Sequence, residues 1–245
     1  SDIRSDACRT VEMPFNASVA DIFRNRYLSP RPDCTTLQIP VQGIGEWCHP
    51  KQTASIDDSG LRASAGESGV VRTSLGIPFR TPAVGPNILY TSLWDNYPSA
   101  AVVPLEGHAA HAYLLLAGST NHMQYDIANG AVSVLYADGT EQRFELVNPV
   151  TWAPVEQDFY FDSGAFALPQ GVLPPYRLHL GSGRVSRRLG DELGIEGVYG
   201  RSIDGGAATL VDMPLDPSKE LRELRLETLS NDVVVGLMAV TLQNP

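Results

Sequence analysis

The stretch Ala131-Val132-Ser133-Val134-Leu135-Tyr136-Ala137-Asp138-Gly139-Thr140-Glu141-Gln142-Arg143-Phe144-Glu145-Leu146-Val147 reads as a β-hairpin. Val132, Val134 and Tyr136 alternate on one side, the two-residue period of a half-buried strand. Asp138-Gly139 supplies a two-residue turn, because Asp and Gly tolerate the positive φ angles of a tight hairpin. Arg143-Phe144-Glu145-Leu146 then resumes the alternation.

Outward from this hairpin the text stays β. His111 to Ala117, bounded by Gly107 and Gly118, predicts a strand buried on both faces. Further strands are predicted over Ile56 to Ala65, Gly76 to Phe79, Asn87 to Trp94, Ala101 to Pro104, Tyr176 to Leu180, Ala207 to Met213 and Val233 to Leu242. Leu221, Leu224 and Leu226 pass from helical to alternating spacing, which predicts one helical turn leading into a strand that ends near Leu229. Thr151 to Pro175 reads as a packed loop with short strands, and Gly181 to Ile195 as polar chain with some helix near Leu189. Roughly eight to ten short strands with Gly/Pro punctuation and no βα alternation indicate an all-β sandwich or jelly roll.

Composition agrees. The 245 residues include 22 Gly and 18 Pro, an excess that belongs in turns rather than long helices. Apolar runs such as Val233 to Val240 are too short to cross a bilayer about 30 Å thick, so no membrane insertion is predicted. A net charge of -10 repels phosphate backbones and anionic headgroups, which excludes nucleic acid as a partner. Residues 1–50 are rich in Pro, Arg and Cys and poor in alternation. They read as an N-terminal extension packing on a β-sandwich domain at 51–245, with a helical turn or two in Asp21 to Tyr27 and a strand in Thr35 to Val41. The chain opens at Ser1 with no visible signal peptide, as expected of a mature protein or an excised segment. Cys8, Cys34 and Cys48 allow one internal disulfide in three pairings, or three free thiols. Asn16-Ala17-Ser18 is a formal glycosylation sequon.

Catalytic signatures are sparse. Gly-x-Ser-x-Gly, Walker A, His-Glu-x-x-His and Cys-x-x-Cys are all absent. Gly181-Ser182-Gly183 lacks the strand–turn–helix setting of a nucleophile elbow and reads as a turn. His108, His111 and His122 are a conceivable zinc set, against the simpler reading of packing or surface histidines. No metal site is predicted, beyond a structural Ca²⁺ that loop oxygens could hold.

Glycoside hydrolysis needs two carboxylates about 5 to 10 Å apart. Glu156 and Asp158 would project on one side of an extended chain, about 7 Å apart by strand rise, and Asp95 is a third candidate. The competing reading has these acids capping turns or holding arginines. Aromatics are the better lead. Sugar recognition joins an amphipathic ring to a few placed polar groups. Trp94-Asp95-Asn96-Tyr97 holds both halves within four residues, and Trp47 and Trp152 add further rings. Against this, Trp94 and Trp152 also read as core plugs next to turns.

Seven stretches carry a family resemblance: Ile56-Asp57-Asp58-Ser59-Gly60-Leu61-Arg62, Gly76-Ile77-Pro78-Phe79, Trp94-Asp95-Asn96-Tyr97, His111 to Thr120, Tyr136 to Thr140, Asn148 to Pro154 and Asn231 to Leu237. In their order they resemble an uncharacterised C-terminal domain family of large secreted or periplasmic glycan-degradation proteins of gut bacteria. Pro30-Arg31 and Gly43 to Pro50 extend the likeness into the N-terminal segment. That family is similar to galactose-binding-like jelly-roll domains attached to six-hairpin, (α/α)-toroid glycosidases. The resemblance implies a secreted or periplasmic setting. It implies a non-catalytic accessory β-sandwich that binds carbohydrate or packs on an N-terminal catalytic domain of the same polypeptide. It carries over no catalytic or binding residues. Two alternatives stand beside it: a glycosidase or lyase using Glu156, Asp158 or Asp95, and a purely structural interdomain module.

Overall fold

The computed structural model describes residues 3–24, 55–93, 97–120, 124–158, 167–194, 201–230 and 233–245. From the N-terminus, β1 (Cys8–Thr10) is followed by α1 (Ser59–Ala65), β2 (Val70–Arg72), β3 (Pro78–Arg80), β4 (Leu89–Ser92) and β5 (Ala100–Pro104). Next come β6 (His111–Thr120), β7 (Ala128–Tyr136), β8 (Glu141–Val147), β9 (Gln157–Asp158), β10 (Tyr176–His179) and β11 (Val185–Ser186). The chain ends with α2 (Leu189–Glu192), β12 (Arg201–Ser202), β13 (Ala207–Pro214), β14 (Leu221–Thr228) and β15 (Val233–Gln243).

The architecture is an all-β sandwich. One sheet runs β1-β15-β6-β13-β10-β11, with β4 also on β15; the facing sheet runs β5-β14-β7-β8. All these pairings are antiparallel. β6 and β15 are apolar over most of their length and buried at nearly every residue because the larger sheet is covered twice. Leu114, Leu116, Val235 and Leu237 point into the core shared with Val132, Val134, Leu224 and Leu226 of the smaller sheet. Tyr113, Leu115, Ala117 and Val234 point the other way, into a second core with Leu61 of α1, Val71 and Phe79 of the β2–β3 ribbon, and Val19, Ile22 and Phe23. Each such aliphatic side chain contributes about 1.5–3 kcal/mol on burial, which makes the β6–β15 pair the stable centre.

The described N-terminal residues belong to this architecture. β1 pairs with Thr241, Leu242 and Gln243 of β15, and Asn87 ties Val19 to the start of α1. The expected strand at Thr35 to Val41, and Cys34 and Cys48, lie outside the described residues. Cys8 is a free thiol.

Three expectations need correction. Ile56 to Ala65 is not a strand: Ser59–Ala65 is helical. Its signals are local. Asp57 Oδ1 accepts the Ser59 N–H at the helix start, Leu61 and Ala65 sit four residues apart on the buried side, and Arg62 pairs with Asp58 one turn back. Leu221 to Leu229 contains no helical turn. Leu221, Leu224 and Leu226 all face the core, and a β-bulge between Leu221 and Glu223 absorbs the odd spacing. The hairpin turn is one residue longer than expected. Tyr136 N–H pairs with Thr140 O and Gly139 N–H with Tyr136 O, so Ala137, Asp138 and Gly139 form a three-residue loop with Gly139 at φ 85°.

Candidate functional site

The candidate carboxylates Glu156 and Asp158 lie in a segment wedged between two strands of the larger sheet. Val155 N–H donates to Gly118 O of β6, Ala207 N–H donates to Val155 O, and Ile203 N–H donates to Glu156 O. The two carboxylates then meet opposite fates. Asp158 accepts from Arg177 Nη1 and from Gly190 N–H, with neither side chain of the ion pair open to solvent. Arg177 spends its remaining donors on the carbonyls of Ala208, Gln157, Pro154 and Ala207, so all of its N–H groups are satisfied. This is the arginine-holding role that was the competing reading for Asp158.

Glu156 is equally buried, yet among the described residues no other residue hydrogen-bonds to either carboxyl oxygen. Burial pushes its pKa up to about 7, opposed in part by its own backbone N–H and by the Arg177 charge. A pKa near neutrality suits a general acid, but such a group must reach the proton it transfers. With 1% exposure Glu156 touches no solvent-borne substrate in this conformation.

Of the aromatic candidates, Trp47 and Trp94, with Asp95 and Asn96, lie outside the described residues. Tyr97 is half-buried, its ring 5.1 Å from that of Tyr90 and tilted by 47°. Trp152 is a core residue. Its exposure is zero, its Nε1 donates to Asn129 Oδ1 at 3.0 Å, and a Cβ on Gly118 would lie 3.1 Å from its ring. No sugar can stack on a ring enclosed in this way. Of the histidines, His111 Nδ1 lies 2.8 Å from Asp212 and His108 contacts Pro217 O; His122 is outside the described residues. Among the described residues no cluster of three or more His, Cys, Asp or Glu could hold a metal.

The described surface offers a different feature. A groove of about 610 Å³ runs along the flank of the sandwich, between the N-terminal chain and the end of β5. Arg9, Thr10, Glu12 and Pro14 form one wall, and Pro104, Leu105 and Glu106 the other. Arg9 braces the mouth, donating to Glu106 O at 2.6 Å and His108 O at 3.2 Å, and bonding Asn244 Oδ1. The groove exists because β1 ends one sheet and β5 ends the other, so the sandwich parts there. Sequence reasoning missed these residues, since they are far apart in the chain and lack any motif. The only local sign is a proline closing each edge, Pro14 and Pro104.

No protein-family model matches this chain, and no curated protein matches it.

Proposed function

We propose that this chain is an accessory β-sandwich domain that binds carbohydrate, with the sugar lying in the groove between β1 and β5. One observation carries the reading: exposed Glu12 and Glu106, with Arg9 and Thr10, stand beside Pro14, Pro104 and Leu105 in one open cleft. A pyranose presents hydroxyls around its rim and C–H groups on its faces. Carboxylates accept from the hydroxyls, and flat apolar side chains receive the C–H faces. The burial of Glu156 and Asp158 weighs against their use as a hydrolytic pair. The likeness to domains attached to glycosidases supports the same reading and a secreted or periplasmic setting.

Isothermal titration of the full chain against a polysaccharide panel tests it. Saturable heat is expected with at least one glycan, weakened at least tenfold in Glu12→Gln/Glu106→Gln. No heat with any glycan from a folded chain overturns the proposal.

A further inference from the structure

On the sheet edge opposite the groove, the β10–β11 turn carries an arrangement that neither the acids nor the groove explains. Ser182 Oγ lies 2.8 Å from His179 Nδ1, and His179 Nε2 lies 2.8 Å from the backbone carbonyl of Asp204. A carbonyl oxygen only accepts, so the neutral ring must carry its proton on Nε2. Nδ1 is then the acceptor, and Ser182 donates to it. This is the order of nucleophile, base and orienting group found in activated serines, with a backbone carbonyl in the orienting place.

The ring is held rather than loose. His179 N–H pairs with Arg184 O and His179 O accepts from Gly183 N–H. Asp204 is fixed by the Gly206 N–H to Ile203 O bond, and a Cβ on Gly181 would lie 3.1 Å from His179 Cε1. Ser182 itself is exposed. Its Oγ also accepts from Arg184 N–H at 3.3 Å. The N–H groups of Gly181 and Ser182 make no hydrogen bond among the described residues.

We propose that Ser182 and His179 form an acyl-transfer site for small, unhindered carboxylic esters, independent of the carbohydrate reading. Ser182 Oγ attacks the ester carbonyl carbon while its proton passes to His179 Nδ1. The carbon–oxygen bond to the alcohol breaks, and the alcohol leaves with the proton from Nδ1. Water then adds to acyl-Ser182, giving its proton to Nδ1. The carboxylic acid departs as that proton returns to Ser182. Throughout, Nε2–H stays on Asp204 O and stabilises the transient imidazolium.

The test is covalent labelling of the full chain with a fluorophosphonate, alongside p-nitrophenyl acetate turnover. One adduct at Ser182 is expected, absent in Ser182→Ala and in urea-unfolded chain. Its rate should fall at least 100-fold in His179→Ala and in His179→Gln, whichever keeps the wild-type far-UV circular dichroism. No adduct on folded wild type overturns the proposal. So does an adduct only at another residue, or labelling of Ser182 that ignores the loss of His179.

Discussion

Arg177 and Asp158 form an ion pair with 0% and 1% of their side chains exposed, in the wall of the larger sheet. Such a pair carries a large desolvation cost, which is offset only if every donor and acceptor is satisfied. Here Arg177 also closes four backbone carbonyls, so it acts as a bolt through the segment between Pro154 and Asp158.

Removing one partner should therefore be severe. Asp158→Asn and Arg177→Met should each lose about 3–5 kcal/mol in urea unfolding. Combining Arg177→Met with Asp158→Leu should recover only part of the loss, because the four carbonyls stay orphaned. Full recovery in the double variant would show that the ion pair alone matters.

Glu156 makes stability fall with rising pH. Its native pKa of about 7 stands above the ordinary 4.5, so the folded chain keeps a proton that the unfolded chain has released. Its contribution is intact below about pH 4.5 and is lost as pH rises through about 7, with a span on the order of 3 kcal/mol. Glu156→Gln should stabilise the chain at about pH 8.5 and change little at about pH 4. Urea midpoints across that range check this, and a pH-independent effect of the substitution contradicts it.

Gly118 seats Trp152. A Cβ there would lie 2.1 Å from Val234 O, a contact with backbone that no rotamer relieves. Gly118→Ala should cost about 1–3 kcal/mol and alter the near-ultraviolet signal of the buried indole. Gly139→Ala, at an open turn, should cost less and leave that signal unchanged, and paired thermal melts compare the two.

Hydrogen exchange should rank the strands. β15 is buried at every residue and pairs with β6 along its length. Amides of Leu114 to Ala117 and Val234 to Leu237 should exchange only through global unfolding, and those of β11 and α2 through local opening. Equal protection at Val185 and Leu115 would contradict this layering.

The sequence showed the fold more clearly than the site, for a physical reason. The Val132–Tyr136 alternation and the doubly apolar run at His111–Ala117 come from burial on one face or two, and burial writes directly into residue type. Ser59–Ala65 carries little helical signal because its two buried positions, Leu61 and Ala65, are too few to set a helical period. The bulge before Leu224 imitates a helical spacing that only a pairing partner can explain. The groove was illegible because Thr10, Glu12, Leu105 and Glu106 meet only through the β1–β15 and β5–β14 registers. The Ser182–His179 contact spans three residues, but its third member, the carbonyl of Asp204, has no side-chain signature.

Amide chemical-shift mapping during titration with a short oligosaccharide tests the central claim most directly. Saturable shifts should gather at Thr10, Val11, Glu12, Leu105 and Glu106, and vanish in Glu12→Gln/Glu106→Gln. Shifts gathered elsewhere on the sandwich, or none with any glycan, would contradict carbohydrate binding in this groove.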